Sequence, residues 1–416
     1  MRRRTRLGVV ATLLAASATG AVAQGPPPGA AVTVSVLTFG PGEEVFERFG
    51  HVAIRVQRPG TGLDAAFNWG MFSFEQPHFI QRFLTGDTKY WMQGFNGAAF
   101  IAEYRAQHRE VWEQELALTA TQKDSLVKFL DWTQREENRY YRYDYYRDNC
   151  STRVRDALDG ILGGALRRAA ASRAHGVSYR RETLRLAAAF PALSLGMDFV
   201  LGPRADVPST GWEELFVPMR LRDLLREVRI TAPDGAQLPL VVRESKLVTD
   251  PTYTEAGAPP SMIPRALGIG LLVAALFLQG LPRVRARHVA IRWSFVVVVV
   301  GWSLAVGLVG ALLLGAGLFT KHFYMGANLN LLLATPLSLA LALVVPVAFR
   351  PTASARLRSA AMALTRAAAV AAVVGAGITL GGPVAQSNGS AVALLVPGHL
   401  ALAFVVRRAL HQGSRA

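Results

Sequence analysis

Apolar positions recur along this chain in two ways, and the change comes near residue 263. Before it, the spacing is that of a mixed domain. Residues 32–39 form an apolar run closed by Gly40-Pro41-Gly42, which predicts a strand, a turn and then a short segment over 43–49. Val52, Ile54 and Val56 alternate with their neighbours as a second strand. Further β-like pieces lie at 65–69, 89–93 and 110–118, the last with Val111, Glu113 and Glu115 opposite Trp112, Gln114 and Leu116. Residues 118–122 cap a helix running to about Arg135, with Leu126, Phe129 and Leu130 on one face. Another helix opens at 148–152 and continues through Leu162. Residues 165–223 read as mainly helical, 228–248 as a small hairpin turning at Pro233-Asp234-Gly235, and 249–261 as a proline-bearing linker.

After residue 263 come five apolar stretches, near 264–281, 293–318, 329–349, 367–380 and 391–406. Several approach or exceed the ~20 residues a spanning helix needs. The fourth is short and glycine-rich, yet leaving it out would put the tail on the wrong side of the charge bias described next. At the other end, Arg2, Arg3, Arg4 and Arg6, an apolar stretch over 7–18 and Ala21-Val22-Ala23 read as a secretory signal peptide. The expected organisation is a signal peptide (1–24), an α+β domain (25–163), a helical and hairpin extension (164–248), a linker (249–263), a five-helix transmembrane domain (264–410) and a cytoplasmic tail (411–416).

The net charge of +16 suggests nucleic acid until it is divided along the chain. From Pro264 onward there are 13 Lys/Arg and no Asp or Glu, whereas 25–263 holds 28 basic against 29 acidic residues. The only large domain outside the membrane is therefore nearly neutral, and nucleic-acid binding is not expected. With the first span entering from outside, Arg283, Arg285, Arg287, Arg292, Arg350, Arg356, Arg358, Arg366, Arg407, Arg408 and Arg415 all fall on the cytoplasmic side. The positive-inside rule then puts 25–263 on the extracytoplasmic face of the membrane.

Cys150 is the only cysteine, so no intramolecular disulfide forms. Asn149 is a preferred N-cap, which sets Cys150 in a first helical turn where free N–H groups and the macrodipole favour a thiolate and can receive an oxyanion. Arg147, Arg153 and Arg155 add positive potential. A thiol nucleophile needs a base, and the exported part offers His51, His78, His108 and His175. His51 is best placed, at the start of a rigid strand, while the others lie in polar or loop settings. No H-x3-H or C-x2-C spacing occurs, so neither a metal nor a cofactor is expected. The bland alternative for Cys150 is a small buried hydrophobe.

Phe49-Gly50-His51-Val52-Ala53-Ile54-Arg55-Val56, Phe67-Asn68-Trp69-Gly70-Met71-Phe72 and Tyr141-Arg142-Tyr143-Asp144-Tyr145 leading to Asp148-Asn149-Cys150-Ser151-Thr152-Arg153 resemble the extracytoplasmic domain of the Lnb family, long catalogued as DUF4105. Its lipoprotein-modifying members are intramolecular transacylases. The His-before-Cys order also resembles circularly permuted papain-like folds of the lecithin:retinol acyltransferase type. The resemblance implies an α+β, permuted papain-like thiol domain ahead of the five-span domain. It also implies Cys150 as acyl-accepting nucleophile, His51 as base, and a lipid or lipoprotein acyl substrate at the membrane. Asn68, Asp144 and Asp148 are alternatives for the residue that orients His51. Tyr143 is a candidate oxyanion donor beside Asn149, while Trp69 and Phe72 are candidates for an acyl groove. Arg153 is a further candidate for substrate contact. His322, Asn328 and Asn330 resemble a family pattern at the outer mouth of the second and third spans and are candidates for headgroup binding. A thiol amidase acting on cell-wall peptide would use the same dyad, and a non-catalytic membrane scaffold would keep Cys150 buried and replaceable.

Overall fold

The computed structural model describes residues 32–173, 176–231, 235–284, 289–381 and 386–412. The signal peptide, His175, most of the 233–235 turn and the end of the tail lie outside the described residues. The chain forms two compact units, Met1–Ala174 with Thr210–Tyr253, and His175–Ser209 with Thr254–Ala416. The expected 164–248 extension is therefore not a body of its own. Its middle belongs with the membrane helices and its two ends with the sheet.

In chain order the first stretch holds β1 (Thr33–Phe39), β2 (His51–Arg58), β3 (Leu63–Met71), α1 (Phe79–Thr85), β4 (Lys89–Asn96), α2 (Gly97–Ala106), β5 (Val111–Leu116), α3 (Ala120–Thr133) and β6 (Tyr140–Arg142). Then come α4 (Cys150–Ile161), α5 (Ala165–Ala171), α6 (Tyr179–Leu186), α7 (Pro191–Val200), α8 (Pro218–Glu227), β7 (Arg229–Thr231), β8 (Gln237–Pro239) and β9 (Val241–Val248). In the sheet unit, seven strands pair antiparallel in the order β6-β4-β3-β2-β1-β5-β9. Strand periodicity divides their side chains between two faces. Val34, Val36, Val52, Ile54, Val56, Phe67 and Trp69 pack with Leu126 and Leu130 of α3, Val154 and Leu158 of α4, and Leu221 and Leu224 of α8. Leu37, Phe39, Ala53 and Ala66 pack on the other face with Ile101 of α2. On that second face Arg55 donates to Asp64 at 2.6 and 2.7 Å and to Glu113 at 3.0 Å. This pairing lets a charged residue sit in a central strand.

The 228–248 region departs from a simple hairpin. β7 and β8 pair with each other, but β9 leaves them to extend the main sheet beside β5, with Glu113 opposite Ser245. Leu240 makes the crossing: it is buried, donates its N–H to Val228 and accepts from Ala117 at 2.8 Å. Leu240, buried between β8 and β9, thus sits where the chain passes from the small sheet to the large one.

The second unit contains α6 and α7 and then α9 (Ile263–Val284), α10 (Val289–Phe319), α11 (Asn330–Leu333), α12 (Leu337–Ala348), α13 (Ala355–Gly381) and α14 (Gly389–Gln412). Five segments among the described residues are long and apolar enough to cross a membrane: Ile263–Leu281, Trp293–Phe319, Asn330–Ala348, Ala355–Gly381 and Gly389–Leu410. The fourth is much longer than its apolar stretch, because the helix also takes in Arg356, Arg358 and Arg366. The third is broken at 334–336, where Pro336 has no N–H to give and the His399 ring meets the freed Leu333 carbonyl at 2.9 Å. Gly270 lies against α14, where a side chain would run into the backbone of Ala393 and Leu394.

Candidate active site

Cys150 is fixed by the way α4 begins. Asn149 is extended, its Oδ1 accepts from Thr152 N–H at 2.9 Å, and Thr152 Oγ1 accepts from Asn149 N–H at 2.8 Å. Its Nδ2 also donates to the carbonyls of Tyr145 and Phe216, at 3.0 and 2.9 Å. Ser151 adds a 2.6 Å bond to Leu215 O. The start of the helix is thus tied to the 3-10 segment Glu213–Phe216, and the Asn149 amide is spent on position.

The thiol is buried, at 6% exposure. Burial pushes it up to about 12, against the N–H groups of Val52, Ser151 and Cys150 itself, which favour the thiolate. Burial thus opposes the thiolate that the helix start favours. The nearby cations are used elsewhere: Arg147 pairs with Asp144 at 3.0 Å, Arg153 with Asp148 at 2.7 Å, and Arg155 with Asp156 at 2.8 Å while lying over Trp212.

His51 opens β2 directly after Gly50, whose φ of +75° and 2.8 Å approach of a would-be Cβ to Phe39 O leave room for no other residue without strain. The imidazole stacks on Phe39 with centroids 5.9 Å apart, and its Nε2 is hydrogen-bonded to Oδ1 of Asn68 on β3. Asn68 Nδ2 in turn points at Met71 Sδ, 3.0 Å away. With Nε2 committed, Nδ1 is the nitrogen left to accept a proton. Burial lowers the imidazole to about 4, Asn68 opposes that, and the Arg109 charge adds to it. Histidine and cysteine are both neutral at pH 7. The sulfur meets the N–H of Val52, the residue after His51, so the two groups are brought to the same end of the sheet.

Around the sulfur the sheet is opened by Gly70, at φ +98° in the register shift between Trp69 and Met71. A Cβ there would lie 3.5 Å from the Tyr143 ring and 3.9 Å from Cys150 Cβ. Tyr143 stacks on Tyr90 at 4.6 Å. The Tyr141 hydroxyl is buried without a hydrogen-bond partner among the described residues, while Arg153 lies over its ring at 4.3 Å. Burial holds both phenols well above their ordinary range, with the Cys150 charge the next cause in each. The orphaned Tyr141 hydroxyl has no sequence signal beyond the tyrosine run itself.

The other candidates separate. Asp144 accepts from the N–H groups of Tyr146 and Arg147 and pairs with Arg147, and Asp148 pairs with Arg153, so of the three orienting candidates it is Asn68 that reaches His51. Trp69 is 1% exposed and belongs to the core. Phe72 stacks with Phe79 and Tyr90 in an aromatic cluster. His78 and His108 are exposed and sit at φ 57° and 54°. In the second unit, Asn328 and Asn330 are buried and donate to Phe199 O at 2.8 and 2.9 Å, while accepting from Gln386 and Asn388. Those amides hold the end of α7, and they are not displayed toward a headgroup. His322 is half-buried ahead of the 3-10 turn Phe323–Met325. Among the described residues, no three His, Cys, Asp or Glu side chains gather as a metal site would require.

Residues 28–186 match the model of the Lnb N-terminal periplasmic domain. Comparison with curated proteins and with solved structures finds no match. The matched stretch carries His51, Asn68 and Cys150, and the chain continues into five membrane-crossing helices. The protein is thus a multi-pass membrane protein whose residues 28–186 match the Lnb N-terminal periplasmic domain.

Proposed function

We propose that the protein is a thiol acyltransferase of the bacterial inner membrane, with a permuted papain-like core that moves an acyl group from a lipid or lipoprotein through a Cys150 thioester. The observation that carries this reading is the imidazole of His51 held through Nε2 by Asn68, with Nδ1 left as the acceptor nitrogen, on the strand whose next N–H points at the Cys150 sulfur. A helix-start cysteine that follows the histidine strand in sequence supports the permuted order.

The reaction begins from a neutral pair. His51 Nδ1 takes the Cys150 proton as the sulfur attacks the ester carbonyl carbon, forming a C–S bond and an oxyanion. The oxyanion is received by N–H groups at the start of α4 and by a tyrosine hydroxyl, for which the unpartnered Tyr141 is the stronger candidate beside Tyr143. The C–O bond then breaks, and the leaving alkoxide takes the proton from His51. An amine or hydroxyl attacks the thioester next, His51 takes its proton, the C–S bond breaks, and the thiolate is reprotonated. Because ionisation of a buried thiol is disfavoured, the pair acts only once an acyl donor has displaced water and aligned the proton transfer.

The test is intact-mass analysis of the purified protein in detergent after incubation with a diacyl lipoprotein or a phospholipid. A hydroxylamine-labile acyl adduct is expected on wild type and absent from Cys150→Ala and His51→Ala. Tyr141→Phe is expected to slow adduct formation about 100-fold while leaving stability unchanged or slightly higher, since it removes an unsatisfied buried hydroxyl. No adduct from any donor would leave a non-catalytic membrane scaffold.

A further inference from the structure

We propose that the surface built by α1 and the turn before β2 dips into the lipid bilayer and delivers acyl chains to the thiol. The surface is apolar where exposure should favour polar residues. Phe46 is 57% exposed, Phe74 66%, Ile80 64% and Leu84 62%. In residues 71–85 the only Asp, Glu, Lys or Arg side chains are Glu75 and Arg82, and Arg82 is turned onto the Asp87 carbonyl at 3.1 Å. A soluble face of this kind marks an interaction surface.

Three observations favour lipid as the occupant. The first is continuity with the site. Phe46 and Phe74 meet the edges of Phe72, Phe72 stacks on Tyr90 at 5.1 Å, and Tyr90 stacks on Tyr143 at 4.6 Å. Tyr143 borders the space that Gly70 leaves beside Cys150, so an unbroken aromatic track joins the exposed face to the thiol. The second is composition: on the α1 side an aromatic and aliphatic ridge with only Glu75 and Arg82 as charges suits the boundary between headgroups and acyl chains, where rings are enriched, while the exposed Glu43 and Glu44 beside Phe46 mark its polar rim. The third is tether length. Nine residues, 254–262, separate the sheet unit from the first membrane helix, a reach of about 32 Å at full extension. A bilayer is therefore always at high effective concentration for this face. The inference rests on the acyl-transfer reading only for its purpose; the contact itself needs no chemistry.

The test uses the full chain with Cys150→Ser, carrying Phe74→Cys, Ile80→Cys or Leu84→Cys one at a time, nitroxide-labelled in nanodiscs of phosphatidylcholine and phosphatidylglycerol. Lys128→Cys, on the solvated side of α3, is the aqueous control. The expected result is an oxygen to nickel-chelate accessibility ratio several-fold above that of the Lys128 position at two or more of the three sites. Three independent positions keep the outcome from depending on the folding of one variant. Ratios like the control would overturn the proposal. So would labels immobilised and shielded from both reagents, which would mean a protein partner or a second copy covers the face. Since the labelled chains lack the thiol, a water-exposed face alongside wild-type acyl adducts sinks the docking alone, and a lipid-immersed face without adducts sinks only the catalytic reading.

Discussion

At the scale of single residues, the candidate site depends on which groups hold protons and which hold side chains still. Asn68 touches the imidazole and in the proposed reaction acts through it, as a positioning residue. Asn68→Ala is expected to slow acyl-adduct formation by up to about 100-fold, with its thermal transition little changed. Asn68→Asp should keep the orientation while raising the His51 pKa, and an acid limb of the pH–rate profile that stays where wild type has it would refute the role. His51 also leaves a mark on stability. Its folded pKa, about 4, lies below the ordinary 6.5, so the unfolded chain binds more protons between those values. Stability linked to this group is complete above pH 6.5 and declines as pH falls toward 4, by at most about 3 kcal/mol. Thermal melts of wild type and His51→Gln between pH 4 and 7 should converge at the acid end. Sequence alone named the candidate dyad, from a lone cysteine after an N-cap and a histidine opening an alternating strand. It could not choose among Asn68, Asp144 and Asp148, because the choice depends on which of them a neighbouring strand brings beside the ring.

At the scale of elements, α4 is the part whose beginning decides the site. Asn149→Ala removes the cap and leaves the Tyr145 and Phe216 carbonyls without their donor, so a loss of about 2–3 kcal/mol is expected. Chemical denaturation of the full chain in detergent would measure it, and a change below about 0.5 kcal/mol, the range of an ordinary surface substitution, would contradict the capping account. The strands and long helices were legible because period-2 and apolar-run patterns survive in the sequence of β1, β2, β5, α3 and α4. β9 was not assigned to the main sheet, since its alternation is the same whether it pairs with β8 or with β5. The break in the third span was also missed: Pro336 is visible, but the His399 ring that satisfies the opened backbone comes from a helix more than sixty residues later.

At the scale of the whole molecule, charge distribution sets topology. In intact spheroplasts, a membrane-impermeant maleimide is expected to label Lys128→Cys in a Cys150→Ser chain, and to leave Ser354→Cys unlabelled until the membrane is opened. Labelling in the reverse order would overturn the orientation. The sequence by itself determined this much: a nearly neutral exported α+β part, five apolar spans, the sidedness of their arginines and the candidate dyad. These rest on composition, periodicity and local capping, which are properties of neighbouring residues. Tertiary structure alone decided that the thiol is buried and neutral and that the surrounding arginines are already paired. It also decided that Asn68 holds the imidazole, that Asn328 and Asn330 are spent on α7, and that an aromatic track leads from an exposed face to Gly70. Each of these depends on side chains far apart in sequence meeting in space, where burial and pairing reset what a residue's type would otherwise suggest.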